Sequence, residues 1–192
     1  RGVEAHFLGE RPWAHTDDFV RSQMSHVVGA QREEVVVMNG LTTNLHLMMI
    51  PFYQPTKTRF RILMEKKSFP SDLYAVQSQV ELRGLTVEEA VVELAPREGE
   101  FTLRTEDILA AIARLGDSLA LVMFAGVQYY TGQLFDLRQI AAAVKRVGSN
   151  VGFDLAHAVG NVVLHLHDWE VDFAVWCSYK YLNSGPGAVA GC

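Results

Sequence analysis

Short runs of β-branched and other apolar residues alternate along this chain with stretches whose apolar positions recur at helical spacing. That alternation predicts an α/β fold with a mainly parallel sheet flanked by helices, because parallel strands are buried on both faces and joined by helical crossovers. Val35–Met38, Phe60–Glu65, Val91–Ala95, Leu119–Phe124, Val151–Asp154 and Val171–Cys177 read as strands, and Gly187–Gly191 begins another. Leu41–Ile50 predicts a helix stopped before Pro51. After a turn at Ser68–Asp72, a helix from Leu73 to about Arg83 sets Val76 and Val80 on one face. Thr105 predicts an N-cap, with Glu106 and Asp107 in the first turn, for a helix that turns Ile108, Leu109, Ile112 and Leu115 inward and stops at Gly116. Asp136 and Gln139 predict a capping box for the helix bearing Ile140, Ala143, Val144 and Val147, closed by Gly148. A chain that ends in a strand with no polar tail reads as truncated.

At 192 residues the chain suffices for one domain or the main part of a larger one. Apolar residues make up 49% and charged residues 20%, ordinary for a soluble enzyme. The net charge is −5, and Lys66-Lys67 is the only adjacent lysine pair, which argues against nucleic acid as the partner. Apolar runs such as Leu119–Val127 are far too short to span a bilayer, so no membrane is expected. Cys177 and Cys192 give neither a disulfide framework nor metal-ligand spacing. His165-Leu-His167, the nearest approach to a histidine motif, lacks partners, so no metal is expected. The polar start, Arg1 to His6, lacks the apolar core of a signal peptide, and a cytoplasmic location follows by default.

Two residues change the picture. Asp154 ends an apolar strand, at the edge where open α/β sheets hold ligands, and Lys180 ends the apolar run from Ala174 to Tyr179. A carboxylate and a lysine so placed suit pyridoxal 5′-phosphate, which needs an acid to keep its pyridine nitrogen protonated and an amine to hold its aldehyde as a Schiff base. Burial of Lys180 would favour its neutral, nucleophilic form. The plainer alternatives are a turn or capping aspartate and a strand-end lysine that reaches solvent. Leu41-Thr42 opens a helix whose free N–H groups and threonine hydroxyl form a phosphate site, or only a cap. Phe69 offers a ring to stack on the pyridine face, and Asp72 either orients polar groups of the cofactor or caps the following helix.

Six motifs carry a resemblance. Met38-Asn-Gly-Leu-Thr-Thr-Asn-Leu-His-Leu47, Phe69-Pro-Ser-Asp72, Tyr130-Thr-Gly-Gln133, Gly152-Phe-Asp-Leu-Ala-His-Ala-Val-Gly-Asn161, His167-Asp-Trp169 and Trp176-Cys-Ser-Tyr-Lys-Tyr-Leu-Asn183 together resemble the kynureninases over essentially the whole chain. The resemblance implies the large domain of a fold-type-I, transferase-like pyridoxal-phosphate enzyme, spanning residues 1–192 in part, with the C-terminal small domain absent. The implied activity is hydrolysis of L-kynurenine, or 3-hydroxykynurenine, to anthranilate, or 3-hydroxyanthranilate, and L-alanine, in tryptophan catabolism towards NAD. It makes Lys180 the Schiff-base lysine and base, Asp154 the partner of the pyridine nitrogen, and Tyr179 a proton relay beside the phosphate. Leu41 and Thr42 match phosphate positions; Phe69, Pro70, Ser71 and Asp72 match the stacking loop; His157 lines the pocket; His6 matches a substrate-aryl contact. Ala125 departs from relatives that carry a cofactor-contacting serine. A homodimer is implied, with sites completed across it, so the 192-residue segment alone is expected to show little turnover. Two other readings stay open: a cysteine desulfurase or aminotransferase-like relative, and a non-catalytic fragment.

Overall fold

Strands that are apolar on both faces need a cover on each side, and the helices supply it. The computed structural model describes residues 2–192, with helices α1 (Asp18–Val28) and α2 (Leu41–Phe52), strand β1 (Arg61–Glu65), helices α3 (Pro70–Leu82) and α4 (Val87–Ala90) and strand β2 (Val91–Leu94). Helix α5 (Thr105–Leu115), strand β3 (Leu119–Ala125), helix α6 (Leu137–Arg146) and strands β4 (Asn150–Asp154) and β5 (Phe173–Val175) follow. The five strands lie in the order β2-β1-β3-β4-β5, every pair parallel. Side chains alternate between faces. Leu63, Val122, Phe124, Val151 and Phe153 join the core under α5 and α6, whereas Ile62, Met64, Leu121, Met123 and Val175 join the core under α2 and α3.

The structure departs from the sequence expectations in ways that have physical causes. Val35–Met38 is not a parallel strand of this sheet: Val37 bridges Gly191 in antiparallel fashion, and Gly191 also bridges Trp176. Val36 and Met38 donate to the carbonyls of Cys192 and Ala190, each at 2.9 Å. Gly187–Gly191 therefore returns against both neighbours, and only its last residues pair. A side chain at Gly191 would meet the Trp176 indole at 2.6 Å, which explains the glycine. An apolar run shows that a strand is buried, but not which way its partner runs.

Pro51 lies inside α2, which continues to Phe52. Proline there forfeits only one N–H, and Arg83 donates to the nearby carbonyls of Met49 and Ile50 at 3.2 and 3.3 Å. Helix α3 starts at Pro70, whose fixed φ suits the first helical position. Asp72 is thus in the first turn, and Phe69, not Asp72, is the N-cap. Arg104 occupies the N-cap position expected of Thr105, which is the first helical residue. Asp136 does cap α6, accepting the Gln139 N–H at 3.0 Å, but the Gln139 amide also turns to that carboxylate. From Val171–Cys177 only Phe173–Val175 is strand.

Candidate active site

Strand order reverses between β1 and β3, since β2 lies outside β1 while β4 and β5 follow β3 on the other side. Loops leaving the carboxyl ends of two such strands diverge and open a crevice. Here that edge holds a cavity of about 260 Å³. It receives Leu41 and Thr42 from the start of α2; Phe69, Ser71 and Asp72 from the start of α3; Ala125 from β3; Asp154 and His157 from the end of β4; and Tyr179 and Lys180 from the turn beyond β5. Val127, Tyr129 and Ala156, which the sequence reading did not single out, complete the lining.

Two expected residues are not brought there. Pro70 is exposed and outside the lining; its part is to start α3 and so aim Ser71 and Asp72. His6 sits in a short exposed turn with its ring edge-on to Trp13 at 5.5 Å, away from the cavity wall.

Asp154 is the last residue of β4, in register with Ala125 and Val175 on its two neighbours. It is 6% exposed, and its Oδ1 accepts the Ala156 N–H at 2.6 Å. The backbone is pinned on both sides, by Gly126 N–H to the Asp154 carbonyl at 2.7 Å and Leu155 N–H to the Val175 carbonyl at 2.8 Å. Gly126 is required for that closeness, because a Cβ there would come within 2.8 Å of Leu155 and Ala158.

Lys180 does not end a strand. It lies half-buried in the turn after β5, held by Ser178 Oγ donating to the Val189 carbonyl and by the Ser184 hydroxyl donating to Ser178, each at 2.6 Å. Its Nζ lies 5.7 Å from the ring centres of both Phe69 and Tyr179, within cation–π range. Phe69 in turn meets Tyr129 edge-on at 5.2 Å.

Helix α2 enters the site from Gly40, which has no side chain to cap it. Asn39 adopts a left-handed conformation, and Asn44 donates from its amide to the Met38 carbonyl at 2.9 Å, fixing the approach. The first N–H groups of α2 are left for an anion.

The site's acids are unusual. Burial, then Asp154 beside it, pushes the Asp72 carboxyl well above the usual carboxylate range, against the pull of Lys180. Glu65, the last residue of β1, is pushed up to about 8, chiefly by burial and further by Asp154, although backbone N–H groups including that of Ala125 oppose this. Asp72 Oδ1, Glu65 Oε2 and the Ser68 hydroxyl are buried without a hydrogen-bond partner. Glu65 escaped the sequence reading, because a lone acid ending a strand carries no motif. Burial and Lys180 hold His157 below its ordinary value, so its ring is neutral at pH 7, and burial followed by Cys177 raises Tyr179. One cavity therefore presents an uncapped helix start, a buried acid, an amine and an aromatic face.

The class-V aminotransferase family model matches residues 10–190. A kynureninase of Nematostella vectensis is 59% identical over 99% of this chain and 41% of its own length. A kynureninase of Myxococcus xanthus is also 59% identical, over 99% of this chain and 45% of its own. The chain thus spans less than half the length of these curated relatives. Among solved structures, a cysteine desulfurase from Thermococcus onnurineus shares the fold at a TM-score of 0.79 and 19% identity, over 97% of this chain and 44% of that one.

Proposed function

The chain belongs to the class-V aminotransferase family, and from that membership we propose that the whole protein binds pyridoxal 5′-phosphate and hydrolyses the Cβ–Cγ bond of L-kynurenine or its 3-hydroxy form. The products are anthranilate, or 3-hydroxyanthranilate, and L-alanine. The observation that carries this reading is that Asp154 and Lys180 line one cavity, in a chain 59% identical to kynureninases.

The residues present fit that cofactor. The uncapped start of α2, with the N–H groups and hydroxyl at Leu41 and Thr42, suits its phosphate. Phe69 offers a ring face, with Ser71 beside it, and the unpartnered buried oxygen of Asp72 beside Asp154 suits a protonated ring nitrogen. Bound there, the cofactor supplies an aldehyde that condenses with amines and a ring that accepts electrons as a bond to the substrate's α-carbon breaks. Lys180, which lines the cavity, would hold that aldehyde through its Nζ and, as a free amine, would take a proton from the substrate's α-carbon. Asp154 lines the cavity with its Oδ1 held by the Ala156 N–H, where it would face the cofactor's ring nitrogen. Tyr179 stays protonated at neutral pH, so its hydroxyl can return a proton, and neutral His157 adds no competing charge.

The desulfurase reading needs a cysteine that reaches substrate. Cys177 is buried with its thiol turned to the Ala156 carbonyl at 3.9 Å, and Cys192 is tied into main-chain pairing with Val36; neither lines the cavity. Both thiols are free, which supports a reducing compartment such as the cytoplasm. No described helix is long and apolar enough to cross a membrane. A homodimer of this large domain with a further small domain completes the proposal, supported by the exposed aromatic rim of Phe69, Tyr129 and Tyr179. The test is to supply the whole protein with L-kynurenine and, separately, L-cysteine. Anthranilate is the expected product; sulfide released faster than anthranilate would sink the assignment.

A further inference from the structure

The segment Tyr130-Thr-Gly-Gln133 stands beside the site cavity, in the loop that follows β3, and lines none of it. Val127 bridges Leu134 in antiparallel fashion, and the chain between them folds back on Gln128. The Gln128 carbonyl accepts the Gly132 N–H, and its own N–H donates to the Gln133 carbonyl, each at 2.9 Å. Gly132 takes the left-handed φ of 72° that closes the loop. Gln133 reaches the other way: its amide accepts the Leu103 N–H at 2.9 Å and donates to the Leu103 carbonyl at 2.5 Å, fastening the loop to the chain just before α5.

The Gln128 side chain is the centre of this turn. It is 7% exposed, and its Oε1 accepts the N–H groups of Tyr130 and Thr131 at 2.7 and 2.9 Å, with the Thr131 hydroxyl at 3.3 Å. Its Nε2 donates to the Lys67 carbonyl at 2.9 Å. Two N–H groups can meet only the oxygen of the amide and a carbonyl only its nitrogen, so the orientation is fixed. Lys67 holds a left-handed φ of 61°, uncommon for a residue with a side chain, so Gln128 ties down a turn that the backbone alone disfavours.

Neither Gln128 nor Lys67 lines the cavity, yet each stands next to a ring that does. Tyr129 follows Gln128 directly, and Phe69 comes two residues after Lys67. The two rings meet edge-on, 5.2 Å apart at 86°. They are 40% and 42% exposed, so their anchored backbones, more than burial, set where they stand. Lys180 Nζ lies over the Phe69 ring, on the side from which a ligand held by that amine would approach.

Resting on the cofactor reading above, we propose that Gln128 is a positioning residue for the cofactor's ring: one buried amide sets the Tyr129 backbone against that of Lys67, and the edge of Tyr129 then holds the Phe69 face ready to stack. A ring fixed beforehand loses less freedom when a flat ligand arrives. Glutamate separates the two halves of this device. Its oxygens still accept from Tyr130 and Thr131, but an ionised carboxylate has no N–H for the Lys67 carbonyl.

The test titrates the whole protein with pyridoxal phosphate, following the visible band that borohydride fixes, in four forms: natural, Gln128→Glu, Phe69→Leu and the two changes together. Gln128→Glu is expected to bind about tenfold more weakly, the effect of one buried carbonyl left without its donor. The double variant should bind within about twofold of Phe69→Leu alone, because no ring is left to position. At saturating cofactor the circular dichroism of the band, which reports a ring held at one tilt, should shrink in Gln128→Glu. A purely structural Gln128 would weaken binding equally in both backgrounds and leave that dichroism alone. Equal losses in both backgrounds, or natural affinity in Gln128→Glu, overturn the inference. Should Gln128→Glu fail to fold, Tyr129→Leu, at an exposed position through which Gln128 acts, goes through the same cycle and the same outcomes decide. A natural protein that forms no visible band sinks the cofactor reading and this inference with it, whereas a band on which Gln128 and Phe69 act independently sinks this inference alone.

Discussion

The two ends of one sheet treat polar groups in opposite ways, half-buried at the amino end and buried at the carboxyl end. At the amino end they find protein partners. Arg59 donates to the Leu119 carbonyl at 2.6 Å, Asn150 to the Phe52 carbonyl at 2.7 Å, and Asp172 accepts the Val151 N–H at 2.8 Å while pairing with Lys145 at 2.6 Å. The Ser149 hydroxyl is the exception there. At the carboxyl end Glu65, Ser68 and Asp72 are buried with atoms unpartnered, and the acids crowd one another. A buried polar group without a partner costs roughly 1–3 kcal/mol, more when charged, so a cluster of them at one edge marks where stability has been given up for a ligand.

The sharpest way to break this contrast is a crossed pair of substitutions. Asp154→Asn keeps an oxygen for the Ala156 N–H but removes the charge. Turnover by the whole protein should fall by about 10³-fold, on the order of 4 kcal/mol, while the melting temperature of the cofactor-free form holds or rises. Asp172→Ala should do the reverse, costing about 2 kcal/mol of stability through two lost charge-assisted hydrogen bonds and leaving cofactor affinity unchanged. Thermal melts alongside cofactor titrations read both. A large stability loss in Asp154→Asn, or a cofactor defect in Asp172→Ala, would erase the difference between the two edges.

Acidity sharpens the contrast further. The folded Glu65 carboxyl titrates at about 8 instead of 4.5, so between those values the folded protein holds a proton that the unfolded chain has released. Its contribution to stability is complete below about 4.5 and is lost as pH rises through about 8, by an amount on the order of 3–5 kcal/mol. Asp72, shifted the same way, adds to the slope. Denaturant unfolding of the cofactor-free protein at pH 5 and pH 8 should show the decline, and Glu65→Gln should reduce it. Equal slopes in the two proteins would mean that Glu65 is already ionised when folded.

Much of this site was legible in the sequence because its chemistry sits in short contiguous segments. Asp154 and His157 follow one apolar strand, Tyr179 and Lys180 follow another, and Leu41-Thr42 and Phe69–Asp72 each mark a strand-to-helix turn. The cavity gathers all four segments. What was illegible depends on partners distant in sequence. The antiparallel return of Ala190–Cys192 between Trp176 and Val36–Met38 leaves no local trace. Arg83, just beyond α3, donates to the Met49 and Ile50 carbonyls left open at the end of α2, where Pro51 forfeits a single N–H. Glu65 looks like any strand-end acid until Asp72 and Asp154 are folded against it. His6, which the resemblance matched to a substrate-aryl contact, packs its ring on Trp13 and does not line the cavity.

The smallest expected effect concerns Ala125, at the end of β3 and in the cavity wall, opposite Asp154 in register. Its N–H is already committed to Glu65, so only a side chain could offer the cofactor anything from this position. Residue 125 is not fully buried, and a serine hydroxyl there would still meet solvent before the cofactor arrives, which limits its net worth to one neutral hydrogen bond. Ala125→Ser should therefore tighten pyridoxal phosphate binding by about fivefold, roughly 1 kcal/mol, without moving the melting temperature of the cofactor-free protein. Unchanged affinity would mean that the cofactor does not pass within hydrogen-bonding distance of this edge of β3. In that case the carboxyl end would owe its hold on the ligand to the charged groups alone.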